Sequence, residues 1–349
     1  MTSKYYQLPK PSERKSLSGS LQLKERPIPK PSETEILIKV HATSINFRDF
    51  TMAIGTYPLP ISDEACIPLS DGAGEVIDVG SKVKKWRKGD KVVSIFNGAH
   101  QKGSDPDDEE AKTGLGGGWD GMLAQHVVLP QDTVVRIPAH LSYEEAATLT
   151  CAAVTAYNGL YGMPGHTLRA GQAVLLEGTG GVSVFALQLA AAAGARVVIT
   201  SSSDDKLETV KKHVGGIENV HFVNYSKTPD WDKEALKLIG PADHVLEVGG
   251  HKTVGKAFNA LKRGGVVSSI GWVGGATETV DTLALTLVKN AILRGLLVGS
   301  RQMFEDMNQL ISTHKLKPVI DKVFGFGDAK SAYQYMVEQK HVGKIVIRV

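Results

Sequence analysis

Apolar positions along the chain fall into two textures. Over the first third they form short runs rich in Val and Ile: EILIKVHATSIN (Glu35 to Asn46), GAGEVIDVG (Gly72 to Gly80), DKVVSIF (Asp90 to Phe96) and AQHVVLP (Ala124 to Pro130). Gly, Pro or Asp bounds each run, which predicts short strands joined by turns and a small barrel or sandwich. Residues 97–120, NGAHQKGSDPDDEEAKTGLGGGWD, combine an acidic run with a glycine cluster and show no apolar period. They read as a long surface loop, a class that is usually functional or mobile. From Ser142 the pattern turns helical, and SYEEAATLTCAAVTAYNGLYG sets Glu145 three residues after an N-cap serine, as in a capping box.

The middle of the chain alternates strand and helix. AVLLEG, a TGG turn, VSVFALQLAAAAGA and RVVITSSS give strand, turn, helix and strand, in the roughly 30 residues of one βαβ unit. HVLEVGG (Val248 lies within it), GGVVSSIGWVGG and AILRGLLVGS add strands, with TVGKAFNALKRGG helical between them. This alternation predicts a parallel, doubly wound sheet. MFEDMNQLISTHKL reads as a helix, and Lys344 to Val349 as a last strand with no obvious place in that sheet. Returning it to the first domain makes the architecture discontinuous.

Composition narrows the function classes. With 349 residues and 42% hydrophobic positions, the chain can bury a substantial core and suits two domains. Its 40 basic and 37 acidic residues are interspersed and leave a net charge of +3, so no basic stripe for nucleic acid is expected. Cys66 and Cys151 allow at most one disulfide, which points to a reducing, cytoplasmic setting, and they cannot build a four-cysteine zinc lobe. The start MTSKYYQLPKPSERK has no apolar stretch, and no run reaches the roughly 18 residues of a membrane span. A soluble protein acting on a small molecule is expected.

The turn EGTGGVS supplies Gly178, Thr179, Gly180, Gly181 and Val182, with Ser183 where G-x-G-x-x-G has its third glycine. Such a turn lets the backbone approach a pyrophosphate at a helix N-terminus. It is also compatible with an ordinary tight turn, but its place after an apolar strand and before an Ala-rich helix favours a dinucleotide. The next strand ends in Thr200, Ser201, Ser202 and Ser203, with Lys206 close behind and Tyr225 in the following segment. Hydroxyls and a lysine suit a 2′-phosphate, whereas NAD-type sites usually place a carboxylate there, so NADP (NADPH) is the expected cofactor. Asp204 and Asp205 are read as caps of the next helix. Gly249 and Gly250, Gly271 with Trp272, and Arg301 are further candidate contacts near strand ends.

The order of these elements, with GTGGVS, LEVGG, GGVVSSIG and GKIVIRV, and with WRKGDKV and PLSDGAGEVIDVG in the first third, resembles the medium-chain dehydrogenase/reductase superfamily over nearly the whole chain. The resemblance implies an α/β fold: a Rossmann doubly wound parallel sheet over 141–301, inserted into a GroES-like β-rich domain made of 1–140 and 302–349. Zinc-type members bind a catalytic zinc through Cys, His and Cys with a neighbouring Glu. Here the first position falls near Asn46, Ser70-Asp71 replaces the His-Glu pair, and Cys151 alone matches, a small apolar residue on a packed helix by its simplest reading. Three protein ligands are the usual catalytic set, so the chain is similar to the zinc-independent quinone oxidoreductases and enoyl or alkenal reductases.

The run NFRDFTMAIGTYP resembles the Asn-x-x-Asp, Gly-x-Tyr-Pro pattern of those reductases. By that resemblance Tyr57 is implicated in proton donation and Asn46 lies near the nicotinamide. The structural alternatives are a turn-fixing Asn46 and a half-buried Tyr57 beside Pro58. Hydride transfer from NADPH to a quinone, enone or enoyl acceptor is expected. A zinc-independent alcohol dehydrogenase or carbonyl reductase, and a non-catalytic NADPH-binding protein, stay open as alternatives. AILRGLLVGS resembles the family's dimer-forming strand, which implies a homodimer.

Overall fold

A computed structural model describes residues 1–59, 61–271 and 280–349. The chain divides into two compact units, 1–154 with 299–349, and 155–298. The changes of unit therefore come at 154/155 and 298/299, against 140/141 and 301/302 in the sequence reading.

In the first unit a seven-stranded sheet runs in the order Ile320–Gly325, Lys344–Arg348, Glu35–Ile45, Asp71–Val79, Lys91–Ser94, Val134–Arg136, with His126–Pro130 also paired to Glu35–Ile45. The terminal strand returns here, antiparallel to Glu35–Ile45 with Ile345 opposite Ile45. Its continuous burial explains why: Lys344 to Ile347 are all buried, and Ile345 and Ile347 join Ile36, Ile38, Val76 and Tyr333 in one core. A separate pair, Thr2–Gln7 with Gln22–Pro27, packs by isolated bridges through Tyr5 and Leu8.

Residues 97–120 are less superficial than their sequence suggests. Asn97, His100 and Leu115 are buried, and the glycine cluster folds against the backbone. A Cβ on Gly118 would come within 1.7 Å of the Lys112 carbonyl oxygen, so the close approach requires glycine there. The capping box at Ser142 forms, with Ser142 Oγ accepting from Glu145 N–H at 3.2 Å. The expected single helix is broken by a π turn, Leu149–Ala153, that carries Cys151.

The second unit holds a six-stranded parallel sheet. Its order is Val220–Asn224, Arg196–Ser201, Ala173–Leu176, Ala242–Glu247, Leu261–Ser269, Ile292–Gly295, the 3-2-1-4-5-6 sequence of a doubly wound fold. The central strand AVLL is buried at every position, as a strand covered on both faces must be. Ile292–Gly295, from the segment expected to form dimers, is the edge strand. The order reverses between Ala173–Leu176 and Ala242–Glu247, where ligands of such sheets bind. The continuation of the GGVVSSIG strand from Trp272 lies outside the described residues.

Candidate functional site

At the C-terminal end of Ala173–Leu176 the chain turns through Gly178, whose φ of +74° is the left-handed region that favours glycine. Nothing lies within 4 Å of where a Cβ would sit on Gly178 or Gly180. Gly180 caps the helix Gly181–Ala192 without any side-chain acceptor, so first-turn N–H groups of Gly181, Val182 and Ser183 are available to an anion. Ser183, in the third-glycine place, closes the turn by donating from Oγ to the Glu177 carbonyl at 2.6 Å. Thr200 Oγ1 accepts from Gly178 N–H at 3.4 Å, tying the turn to the next strand. This open, glycine-lined cradle fits a dinucleotide diphosphate.

The neighbouring strand end offers hydroxyls. Ser203 Oγ accepts from Lys206 N–H and is itself the N-cap of Asp204–Val214. That corrects the capping role given to Asp204 and Asp205, which sit inside the first turn. The Asp204 carboxylate is instead committed to Asn224 Nδ2, at 2.7 Å, and to the Lys227 ammonium, which holds it below the usual carboxylate range. Ser201 is buried and Ser202 exposed, and Tyr225 is exposed on the adjacent segment.

Two carboxyl groups went unrecognised in the sequence. Of the two strands flanking the reversal, Glu247 ends one and Glu177 directly follows the other, and both are buried. Glu177 Oε2 accepts from Val248 and Gly249 N–H at 3.3 Å each, and Glu247 from Gly250 N–H at 2.8 Å and from Thr253 Oγ1. Burial first, then the charge of Glu247, pushes the Glu177 carboxyl far above its ordinary range. Among the described residues Glu177 Oε1 has no hydrogen-bond donor. Gly249 must be glycine, since a Cβ there would fall 2.3 Å from Thr253 Oγ1. Gly271 lies against the Val248 carbonyl, and Trp272 is outside the described residues.

The first unit carries the second cluster. Asn46 ends Glu35–Ile45 and starts the helix Phe47–Ala53; its N–H donates to Asp49 Oδ2 at 2.8 Å. Asp49 also receives Arg48 Nη1 at 3.2 Å. The Arg48 guanidinium lies between two rings, 5.4 Å from the Tyr57 centroid and 4.7 Å from that of Phe96, and donates to the Leu115 carbonyl at 3.0 Å. Tyr57 is half-buried, with its ring packed on the core. Behind Asn46 sits Lys344, 3% exposed, whose ammonium donates to Ile45 O at 2.9 Å, to Asn46 Oδ1 and to Asp71 Oδ2 at 3.4 Å. Ser70 Oγ donates to the other Asp71 oxygen at 2.8 Å. Burial, then the charge of Asp71, pushes the Cys151 thiol up to about 12. Cys151 thus faces an ionic cluster, more than the plain packing residue expected.

Comparison with known proteins matches residues 32–139 to the alcohol dehydrogenase GroES-like domain and residues 181–313 to the zinc-binding dehydrogenase model. A zinc-type alcohol dehydrogenase-like protein of Schizosaccharomyces pombe is 43% identical over 95% of this chain and 97% of its own. The chain belongs to the medium-chain dehydrogenase/reductase superfamily. A chain from Sinorhizobium meliloti 1021, solved as a candidate alcohol dehydrogenase, is 34% identical and superposes with a TM-score of 0.87 over 100% of this chain and 99% of that one. A chloroplast envelope quinone oxidoreductase homolog of Arabidopsis thaliana is 29% identical over 95% of this chain and 94% of its own. Among the described residues no helix is long and apolar enough to cross a membrane.

In this medium-chain dehydrogenase/reductase the residues at the expected zinc positions do not fit the metal. Asn46 Oδ1 and Asp71 Oδ2 already receive an ammonium, which leaves one thiol, and a catalytic zinc takes three protein ligands. Among the described residues no group of three or more His, Cys, Asp or Glu is placed to hold a metal ion. Arg301, a candidate cofactor contact, belongs to the first unit, where its guanidinium is committed to the Val134 carbonyl and to Glu305 at 2.8 Å.

Asp49 gives the cluster a pH signature. Burial pushes its carboxyl up to about 6 against the opposing pull of Arg48. Between about pH 4 and 6 the folded state therefore holds a proton that the unfolded state has lost, and its contribution to stability disappears as pH rises through 6. Asp49→Asn lacks this titration. Its stability relative to the parent is expected to rise by about 2 kcal/mol from pH 4 to pH 7, read by urea unfolding at both; a flat difference would remove Asp49 from the titration.

Proposed function

We propose that the chain is an NADPH-dependent reductase of conjugated acceptors, namely quinones, enones or enoyl compounds, that works without zinc. The observation that carries this is the character of the first-unit cluster: a buried amide donor on Asn46 with a phenol, Tyr57, supported by Arg48, in place of a metal-ligand set. The quinone oxidoreductase name of the Arabidopsis relative supports the same acceptor class.

The glycine turn, Gly178 to Val182, would hold the diphosphate, and Ser201 to Ser203, Lys206 and Tyr225 the 2′-phosphate. Bound NADPH would supply the hydride. Asn46 Nδ2 would donate to the acceptor's carbonyl oxygen, where negative charge gathers as the β-carbon is reduced. Tyr57 would return the proton from its hydroxyl, and the two-electron, one-proton sum then closes. A conjugated acceptor delocalises the incoming charge, so hydrogen bonds suffice where a simple carbonyl would call for a Lewis acid.

The test mixes purified protein with NADPH or NADH and a panel of quinones, enones and enoyl thioesters. NADPH oxidation with at least one acceptor class is expected, with NADPH bound at least about tenfold more tightly than NADH, the worth of one charge-assisted hydrogen bond. Oxidation of simple alcohols without added zinc, with no reduction of the conjugated acceptors, would establish the zinc-independent dehydrogenase alternative. Tight NADPH binding with no turnover on any acceptor would establish the non-catalytic one.

A further inference from the structure

We infer that Lys344 is a positioning residue: its buried ammonium fixes the side-chain amide of Asn46 so that Nδ2 faces the substrate oxygen as a polarised donor. This deepens the reading of Asn46 given above and rests on it.

A lysine ammonium has three N–H donors and no acceptor. At Lys344 the three find three oxygens, those of Ile45, Asn46 and Asp71. The lysine is 3% exposed and Asp71 is fully buried, so water does not compete for these bonds. A carboxamide can turn either its oxygen or its nitrogen toward Lys344, but only the oxygen can accept from an ammonium. Lys344 therefore settles the orientation. Nδ2 is turned away from it and, among the described residues, has no partner although Asn46 is 91% buried. A buried donor left unpaired is costly, and a ligand oxygen would relieve that cost.

The charge matters as well as the geometry. An ammonium on Oδ1 draws electron density from the amide and strengthens its N–H as a donor. Asp71, held in turn by Ser70, supplies the countercharge to the ammonium at 3.4 Å. The backbone N–H of Asn46 is pinned by Asp49 Oδ2, and its side chain also faces Asp49 N–H in the capping box, so Lys344 acts on an amide already held at the helix start. Lys344 itself touches neither substrate nor reacting atoms in this scheme. Its effect passes through Asn46, and the two residues must then fail together.

The test is a double-mutant cycle read by single-turnover oxidation of NADPH at saturating acceptor. Lys344→Met is paired with Asp71→Asn so that no uncompensated charge stays buried. The pair is expected to lower the hydride-transfer rate on the order of 10²-fold, the effect of losing one oriented oxyanion donor. Acceptor KM, NADPH affinity and Tm should change little, which a general loss of structure would not allow. Asn46→Ala should lower the rate similarly in the parent and add less than about threefold in the Lys344→Met/Asp71→Asn background. Additive losses, or an unchanged rate in the paired variant while Asn46→Ala is slow, would overturn the inference and leave the role of Asn46 intact. An unchanged rate in Asn46→Ala would overturn both, as would a parent protein that oxidises NADPH with no acceptor.

Discussion

Tyr57→Phe is expected to slow reduction of an enone or enoyl acceptor by about 10²- to 10⁴-fold, the usual contribution of a placed general acid, while the NADPH dissociation constant stays within about twofold. The substitution removes one oxygen and keeps the ring. The ring packs on the core of the first unit and lies 5.4 Å from the Arg48 guanidinium, an attraction that phenylalanine retains. The loss should thus fall on kcat, with the fold and the stacking of the ring on Arg48 preserved. It should also depend on the acceptor. A quinone takes its proton on oxygen, which water does rapidly, whereas an enolate must be protonated at carbon, so the quinone should lose less. Stopped-flow turnover of both acceptors beside a dinucleotide titration reads all three quantities. A variant altered only in KM would make Tyr57 a binding residue, and an equal loss on both acceptors would argue against proton donation.

How much of this was legible in the sequence follows from how far apart the partners lie. The glycine turn and the strands around it are local patterns, and Ala173–Leu176 with its following helix forms as the apolar periods require. Asn46 and Tyr57 share one short segment and could be picked together. Lys344 could not, because its contacts with Asn46 and Asp71 span 298 and 273 residues. Its trace is a lysine placed directly before three apolar residues in the strand KIVIR, and that signal gains meaning only once the strand is paired beside Ile45. Glu177 and Glu247 left a trace too: LLEG and VLEVGG each end an apolar strand in a carboxylate where alternation gives no reason for one. The glycine cluster of residues 97–120 hid its burial because glycine carries no apolar period. The π turn around Cys151 was invisible for a related reason, as a 3.6-residue pattern continues through it almost unchanged.

Asp71→Asn alone is expected to cost about 3–5 kcal/mol of stability, the price of breaking a buried pair from one side. The carboxylate is fully buried and 3.4 Å from the Lys344 ammonium. Replacing it leaves the ammonium with the Ile45 and Asn46 oxygens but without its bonded countercharge, and asparagine cannot supply one. The cation then either stays at high cost or sheds its proton, and both weaken the fold. Because neither group meets solvent, 0.5 M salt should leave the loss nearly unchanged, unlike that of a surface pair. Adding Lys344→Met should restore most of it, since an isosteric apolar chain removes the stranded charge. Lys344 opens the terminal strand that pairs with Glu35–Ile45, so the damage should begin there. Amide exchange at Ile345 to Ile347 should quicken before that of the parallel sheet in the second unit. A loss below about 1 kcal/mol, or one that salt abolishes, would mean that solvent reaches the ammonium, and the ordered Asn46 amide would then lose its physical support.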